Sequence, residues 1–285
     1  MQESRPNTPF PGRFQPWVAA LFSAAILSCA ALAGIAPPAE ASSVEIPDAQ
    51  ALVQKVVARA KAVSEDAALP TVTYTNVSLY QTFAPSGDVK RTKEKTYRVT
   101  LAQGMTQNEL IAIDGLPLAP GDQAALSEKE RKWRDAYAAG RDGTAPRRMD
   151  QVINEKLFAR FDLRVSGQTT LRGHRCWVIE LGPRASPPPE ERLMDRVFNR
   201  LTGRAWVDLA THEIVRVEAH TEGSLRLWGG ILGALESFQI HLDREDAGRG
   251  VWYNRHLDVT VRGRRLFTPL WMRANEVAGP VTFKP

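Results

Sequence analysis

The sequence predicts an α+β chain built on a curved antiparallel sheet with helices against its concave face. Three observations carry that reading. Nine or ten stretches rich in β-branched and aromatic residues follow a period of two. Most of them are joined by short turns, which pairs sequence neighbours antiparallel. Helical periodicity is confined to the start of the chain and to an insertion midway. A sheet of that many strands twists and curls into a barrel or part of one. Amphipathic helices against its concave side then enclose an apolar space.

The N-terminus sets the compartment. Arg5 and Arg13 precede an apolar run from Trp17 to Ile35, broken by Pro37 and Pro38. Ala39-Glu40-Ala41 fits a signal-peptidase site, so residues 1–41 are expected to be an export signal and 42–285 a single domain. Two alternatives stand beside this. The apolar run is near the length of a membrane anchor. Ile26-Leu27-Ser28-Cys29 also resembles a bacterial lipobox, in which Cys29 is lipidated and fixes an exported, periplasmic protein to a membrane. With the cut after Ala41, Cys176 is the remaining cysteine; no internal disulfide is then available, and the fold rests on its core.

Pro47-Asp48 opens the first helix, with Asp48 as its N-cap. Leu52, Val53, Val56, Val57, Ala60 and Val63 give it one apolar side. From Thr71 to Phe83 the chain reads as a long strand, turned at Pro85–Asp88 into a partner from Val89 to Ala102. A third strand covers Glu109 to Ile113 and ends at the hairpin signal Asp114-Gly115. Helical spacing returns from Leu126, with Ser127 and Glu130 as a capping box, and a second helix is expected over Arg147–Phe158. Strands follow over Arg160–Ser166 and Arg175–Leu181. Gly182–Arg192, with three consecutive prolines, reads as a stiff surface loop.

The centre of the pattern is Gly203 to His220, a hairpin. Ala205, Val207 and Leu209 share one face, and Trp206 and Asp208 the other. On the second arm Glu213, Val215, Val217 and Ala219 alternate with Ile214, Arg216, Glu218 and His220. Asp208 is placed to close an Asx turn, helped by Thr211. Three more strands are expected over Ser237–Arg244, Val251–Arg262 and Arg265–Asn275.

The chemistry-bearing motifs of hydrolases, zinc proteases, thiol oxidoreductases and nucleotide-binding folds do not occur in the sequence. The five histidines are scattered, at no ligand spacing on one element, and read as polar surface residues. The net charge of +5 is mild and spread along the chain, which is not a nucleic-acid footprint. The expectation is a non-enzymatic protein with no cofactor and no metal.

The order of elements, together with Tyr80 to Tyr97, Asp114-Gly115-Leu116-Pro117-Leu118, Trp206-Val207-Asp208 and Ile214-Val215-Arg216, resembles the LolA/LolB-like family of periplasmic lipoprotein-sorting proteins. The resemblance covers about Asp48 to Phe283, and the chain is longer than the family pattern between Leu116 and Arg200. It implies an incomplete β-barrel capped by helices, with an apolar cavity for the acyl chains of a lipid or lipoprotein. Tyr80, Tyr97, Trp177 and Trp206 are the aromatic candidates to line such a cavity. Leu227, Trp228 and Ile231, in the glycine-broken run 225–235, are candidates for an apolar flap at its rim, the alternative being a buried crossover. The implied function is a carrier or sensor of lipids or lipoproteins that meets a membrane surface or an envelope protein. The alternative is an envelope regulatory module that binds a protein partner without lipid. The Pro-rich loop and the charged helix from Ser127 motivate that second reading.

Overall fold

The computed structural model describes residues 45–119, 121, 152–190, 193–227, 233–265 and 268–284. Cys29, the export segment, the helix expected from Leu126, most of the one expected over Arg147–Phe158, Trp228 and Ile231 lie outside them. No helix among the described residues is long and apolar enough to cross a membrane.

Helix α1 (Ala49–Glu65) starts where Asp48 caps it: the Asp48 carboxylate accepts from the Ala51 amide at 2.9 Å. Its apolar side, Leu52, Val53, Val56 and Ala60, is buried. Strands β1 (Val72–Phe83), β2 (Val89–Ala102), β3 (Met105–Ile113) and β4 (Leu116–Pro117) follow as a meander. After the short helix α2 (Glu155–Phe158) come β5 (Phe161–Leu171) and β6 (His174–Pro183). A one-and-a-half-turn helix, α3 (Leu193–Phe198), follows the Pro-rich loop and had no clear sequence signal. Then come β7 (Leu201–Asp208), β8 (Ile214–Thr221), β9 (Leu225–Leu227), β10 (Gly233–Gly248), β11 (Val251–Arg265), β12 (Thr268–Ala278) and β13 (Thr282–Phe283).

All the strands belong to one antiparallel sheet, in the order β4-β3-β2-β1-β12-β11-β10-β8-β7-β6-β5, with β9 beside β10 and β13 beside β1. The decisive pairing is non-local: β12 returns to β1, with Tyr80 opposite Ala274. Among the described strands the two edges are therefore β4 and β5, which follow one another in that set but do not pair. Pairing them would close a barrel, so the sheet is an open one. The strand-rich α+β architecture and its open curved sheet are as the sequence leads one to expect. Several strands are longer than their patterns: β5 runs to Leu171 and β10 spans Gly233–Gly248.

The central hairpin turns as expected. Asp208 Oδ1 accepts from the Ala210 and Thr211 amides at 3.0 and 2.7 Å and from the Thr211 hydroxyl at 2.8 Å. Its second arm departs from simple alternation. The register shifts after Trp206, which faces Arg216, while Val207 faces Ile214, leaving Val215 as the extra residue of a bulge. Ile214 therefore joins Val217 in the main core, while Val215 packs on the other face with Cys176 and Trp252. At Gly203 the strands approach so closely that a Cβ would lie 2.0 Å from the Glu218 carbonyl oxygen, so no side chain fits there.

A buried ion network ties α1 to the sheet. Glu213 accepts from Arg59 Nε at 2.8 Å and from Arg244 Nη1 at 2.7 Å, and Arg244 Nη2 donates to the Trp252 carbonyl. The Pro-rich loop is tied down as well. Buried Arg160 donates to the carbonyls of Pro188 and Pro189 at 3.2 and 3.1 Å and pairs with Asp195. It is a pinned surface loop and not a free arm.

Candidate ligand-binding face

Residues directly opposite one another in a sheet point to the same face, and the register lets whole rows be followed from edge to edge. On the face that α1 covers, one row crosses nine strands. It begins with Val165, Ile179, Ala205, Val217, Leu242 and Leu257 on β5, β6, β7, β8, β10 and β11. It ends with Glu276, Ser78 and Lys95 on β12, β1 and β2. The first six are buried members of the main core. The last three are polar. The next row repeats the contrast, from Leu163 through Leu181, Gly203, Ala219, Ile240, Val259 and Ala274 to Tyr80 and Lys93.

A carboxylic acid in the interior of an apolar face is costly unless it is neutral or well partnered. Glu276 has little partnership. Asn76 Nδ2 donates to its Oε2 at 3.1 Å. Burial pushes the Glu276 carboxyl up to about 7, against the smaller opposing pull of Asn76 and Ser78. Ser78 is 1% exposed. Its hydroxyl stands near enough to Glu276 and Tyr80 to influence both, yet forms no hydrogen bond of good geometry. Burial first, and then the Glu276 charge, also push the Tyr80 phenol far above its usual range. Lys95 Nζ lies 5.5 Å from the centre of the Tyr80 ring. An acid that titrates near neutral pH, an uncommitted hydroxyl and two phenols here form a small polar patch set in an apolar wall.

Of the aromatic residues picked out in the sequence, Tyr80 and Tyr97 come together at this patch, with their hydroxyls in reach of each other. Tyr97 stands opposite Asn76 and packs with the second apolar cluster, around Tyr74 and Tyr253. Trp177 lies against the main core, on the same face but toward the β5 edge. Trp206 is on the opposite, outer face, packed with Cys176, Val215 and Trp252 and covered by the Arg216 guanidinium. Leu227 is on β9, whose pairing with β10 makes the run from Leu225 a hairpin arm. Glu276 and Ser78 escaped sequence reading. The signal was present: Met272, Ala274, Glu276 and Ala278 share one face of β12, and the acid is the odd member.

The outer face is of another kind. A row there reads Arg164, Glu180, Arg204, Glu218, His241, Asp258, basic and acidic residue types alternating across six strands. A groove of about 560 Å³ lies along its β5–β8 part, lined by Arg164, Glu180, Arg204, Glu218 and His220 among others. The fold also brings together histidines that the sequence leaves scattered. His241 and His256 converge on Asp243 from neighbouring strands. Cys176 is buried, and its thiol is pushed up to about 11 by burial and then by the Asp208 charge, which keeps it an inert thiol.

Similar architectures occur among solved structures. A domain described as that of an outer membrane lipoprotein-sorting protein from Vibrio parahaemolyticus matches 83% of this chain and 94% of its own, at 10% identity and a TM-score of 0.38. A LolA-superfamily protein from Nitrosomonas europaea matches 83% of this chain and 94% of its own, at 9% identity and a TM-score of 0.28. A structure of the Pseudomonas aeruginosa MucA/MucB complex also matches, over 82% of this chain and 99% of that one, at 10% identity and a TM-score of 0.25. No family model and no curated protein matches the sequence. These likenesses concern architecture.

Proposed function

We propose that the protein is a non-enzymatic, periplasmic carrier or sensor that holds a lipid or a lipoprotein acyl chain against the helix-covered face of its sheet. One observation supports this above the others: a continuous apolar row that ends in the polar patch of Glu276, Ser78 and Asn76. That is the pattern of an amphiphile, with a head at Glu276 and a tail along Leu242 and Leu257; both leucines are buried in the core beneath α1, so a tail there takes space that α1 and core side chains now fill. Each buried CH₂ of an acyl chain contributes about 0.8 kcal/mol, so no catalytic group is needed for tight binding. Tyr80 and Tyr97 flank the head position and Trp177 lies toward the far end of the tail. Leu227, at the end of β9, is assigned to the rim, and Trp228 and Ile231, outside the described residues, are assigned there with it. The export signal ending at Ala41 delivers such a carrier as a soluble protein, and lipidation at Cys29 delivers it tethered.

The experiment is native mass spectrometry of the purified protein, with organic extraction of anything bound and titration by a fluorescent fatty acid. Co-purified lipid or saturable binding supports the reading. No lipid and no binding ends it. A second reading, a module for an envelope protein partner, draws its support from the charged outer groove between β5 and β8. A stoichiometric protein partner recovered with a lipid-free protein favours that alternative.

A further inference from the structure

His241 and Asp243 stand two residues apart on β10, so both side chains leave the same, outer face. His256, on β11, is directly opposite Asp243. One donor atom from each lies within 4.8 Å of the others, and the two imidazole rings are 5.5 Å apart at their centroids. The geometry points to a divalent transition-metal site of the zinc class, with His241, Asp243 and His256 as protein ligands and a fourth position open to water or another donor. The inference stands on the outer face alone and does not depend on lipid binding.

The surroundings serve as outer-shell partners do. His241 Nε2 donates to Asp243 Oδ2 at 2.9 Å, and Glu218 Oε1 lies 3.6 Å from Nδ1; a metal takes the place of the Nε2 proton, with the proton on Nδ1 directed to Glu218. Asn275 Nδ2 lies 2.8 Å from His256 Nε2 and also donates to Asp258, so ligation through His256 Nδ1 requires the Asn275 amide to turn and accept the Nε2 proton through Oδ1. Arg216 Nε donates to Asp243 Oδ1 at 2.7 Å, which fixes the carboxylate and turns Oδ2 toward His241. Two imidazole nitrogens with one carboxylate oxygen suit zinc, cobalt or nickel, and not calcium or magnesium, which take oxygen ligands.

One group competes for the site. The Arg172 guanidinium also pairs with Asp243 Oδ2. Arg172 sits in the β5–β6 turn at φ +50°, and its side chain is 38% exposed, so a metal displaces it into water. The same contacts without a cation make a closed ion-pair network. The two accounts differ in what Arg172 does: it is a structural partner in one and a competitor in the other.

The test is titration of the protein, free of any histidine tag, with Co²⁺ and with Zn²⁺ alone, followed by cobalt visible absorption and by calorimetry. One ion per chain is expected, with His256→Ala and His241→Ala each weakening affinity about tenfold or more. Arg172→Ala is expected to tighten it several-fold, and because this residue lies in an exposed turn the variant does not challenge folding. Absence of binding overturns the site. So does affinity that is indifferent to both histidine substitutions, or that falls or stays the same in Arg172→Ala.

Discussion

The same strands carry two rows, one step apart, that face opposite ways. Toward α1 the row runs Val165, Ile179, Ala205, Val217, Leu242, Leu257 and then Glu276. Toward the outside it runs Arg164, Glu180, Arg204, Glu218, His241, Asp258 and then Asn275. Along the outer row basic and acidic residue types stand opposite one another, and burial of Asp243 is more than offset by His241, Arg216 and Arg172, which hold its carboxyl well below the usual range. On the inner face Glu276 has an amide and a hydroxyl beside it, and burial wins. The comparison shows that a carboxylate's state follows its neighbours more than its depth. The outer charges answer one another, whereas the inner acid leaves hydrogen-bonding capacity for something else.

The largest effect should come from breaking the clamp that holds α1 over the inner row. Glu213→Ala leaves Arg244 buried and unpaired and detaches Arg59, and is expected to cost about 3–5 kcal/mol. Urea unfolding measures this, and a loss below about 1 kcal/mol contradicts the assigned clamp.

Next comes the acid itself. A group whose folded pKa is raised stabilises fully below its unfolded value and loses that contribution as pH rises to the folded one. For Glu276 the window runs from 4.5 to about 7. Glu276→Gln should therefore match the native protein near pH 4.5 and gain up to about 3 kcal/mol on it above pH 7. Melting curves across that range check the sign, and a constant difference at all pH values would show that burial does not raise this carboxyl.

Asp208→Ala removes three hydrogen bonds from the central turn and is expected to cost about 1–2 kcal/mol. The smallest effect belongs to the outer ladder. Arg164 pairs with Glu180, but its side chain is 75% exposed. Arg164→Ala should move stability by less than about 1 kcal/mol, and a larger loss would mean the ladder holds the sheet together.

Local features were legible in the sequence. The Asp48 cap, the Asx turn at Asp208 and the strands from Val72 to Ala102 follow from residues within a few positions of one another. What was not legible depends on distant pairing. The return of β12 to β1 places Glu276 beside Ser78, some two hundred residues away in sequence, and no local pattern announces it. The meeting of His241 and His256 requires the β10–β11 register, which bulges after Asp243 help to set. The bulge at Val215 swaps the faces of two apolar residues, a change that a strict period of two cannot express. Trp206 points outward, away from the Tyr80 patch, although its strand and its residue type alone do not say which face the helix covers.

The central claim is that Glu276 meets the head of an amphiphile on the inner face. The direct measurement is the affinity of a fluorescent fatty acid as a function of pH, in the native protein and in Glu276→Gln. Below pH 7 the neutral acid donates a hydrogen bond to the ligand's carboxylate, and above it two negative charges meet. The native protein should therefore bind more weakly as pH rises through about 7, while Glu276→Gln, neutral at every pH, should bind with little change across that range. Equal pH profiles in the two proteins, or no binding by either, would contradict the account.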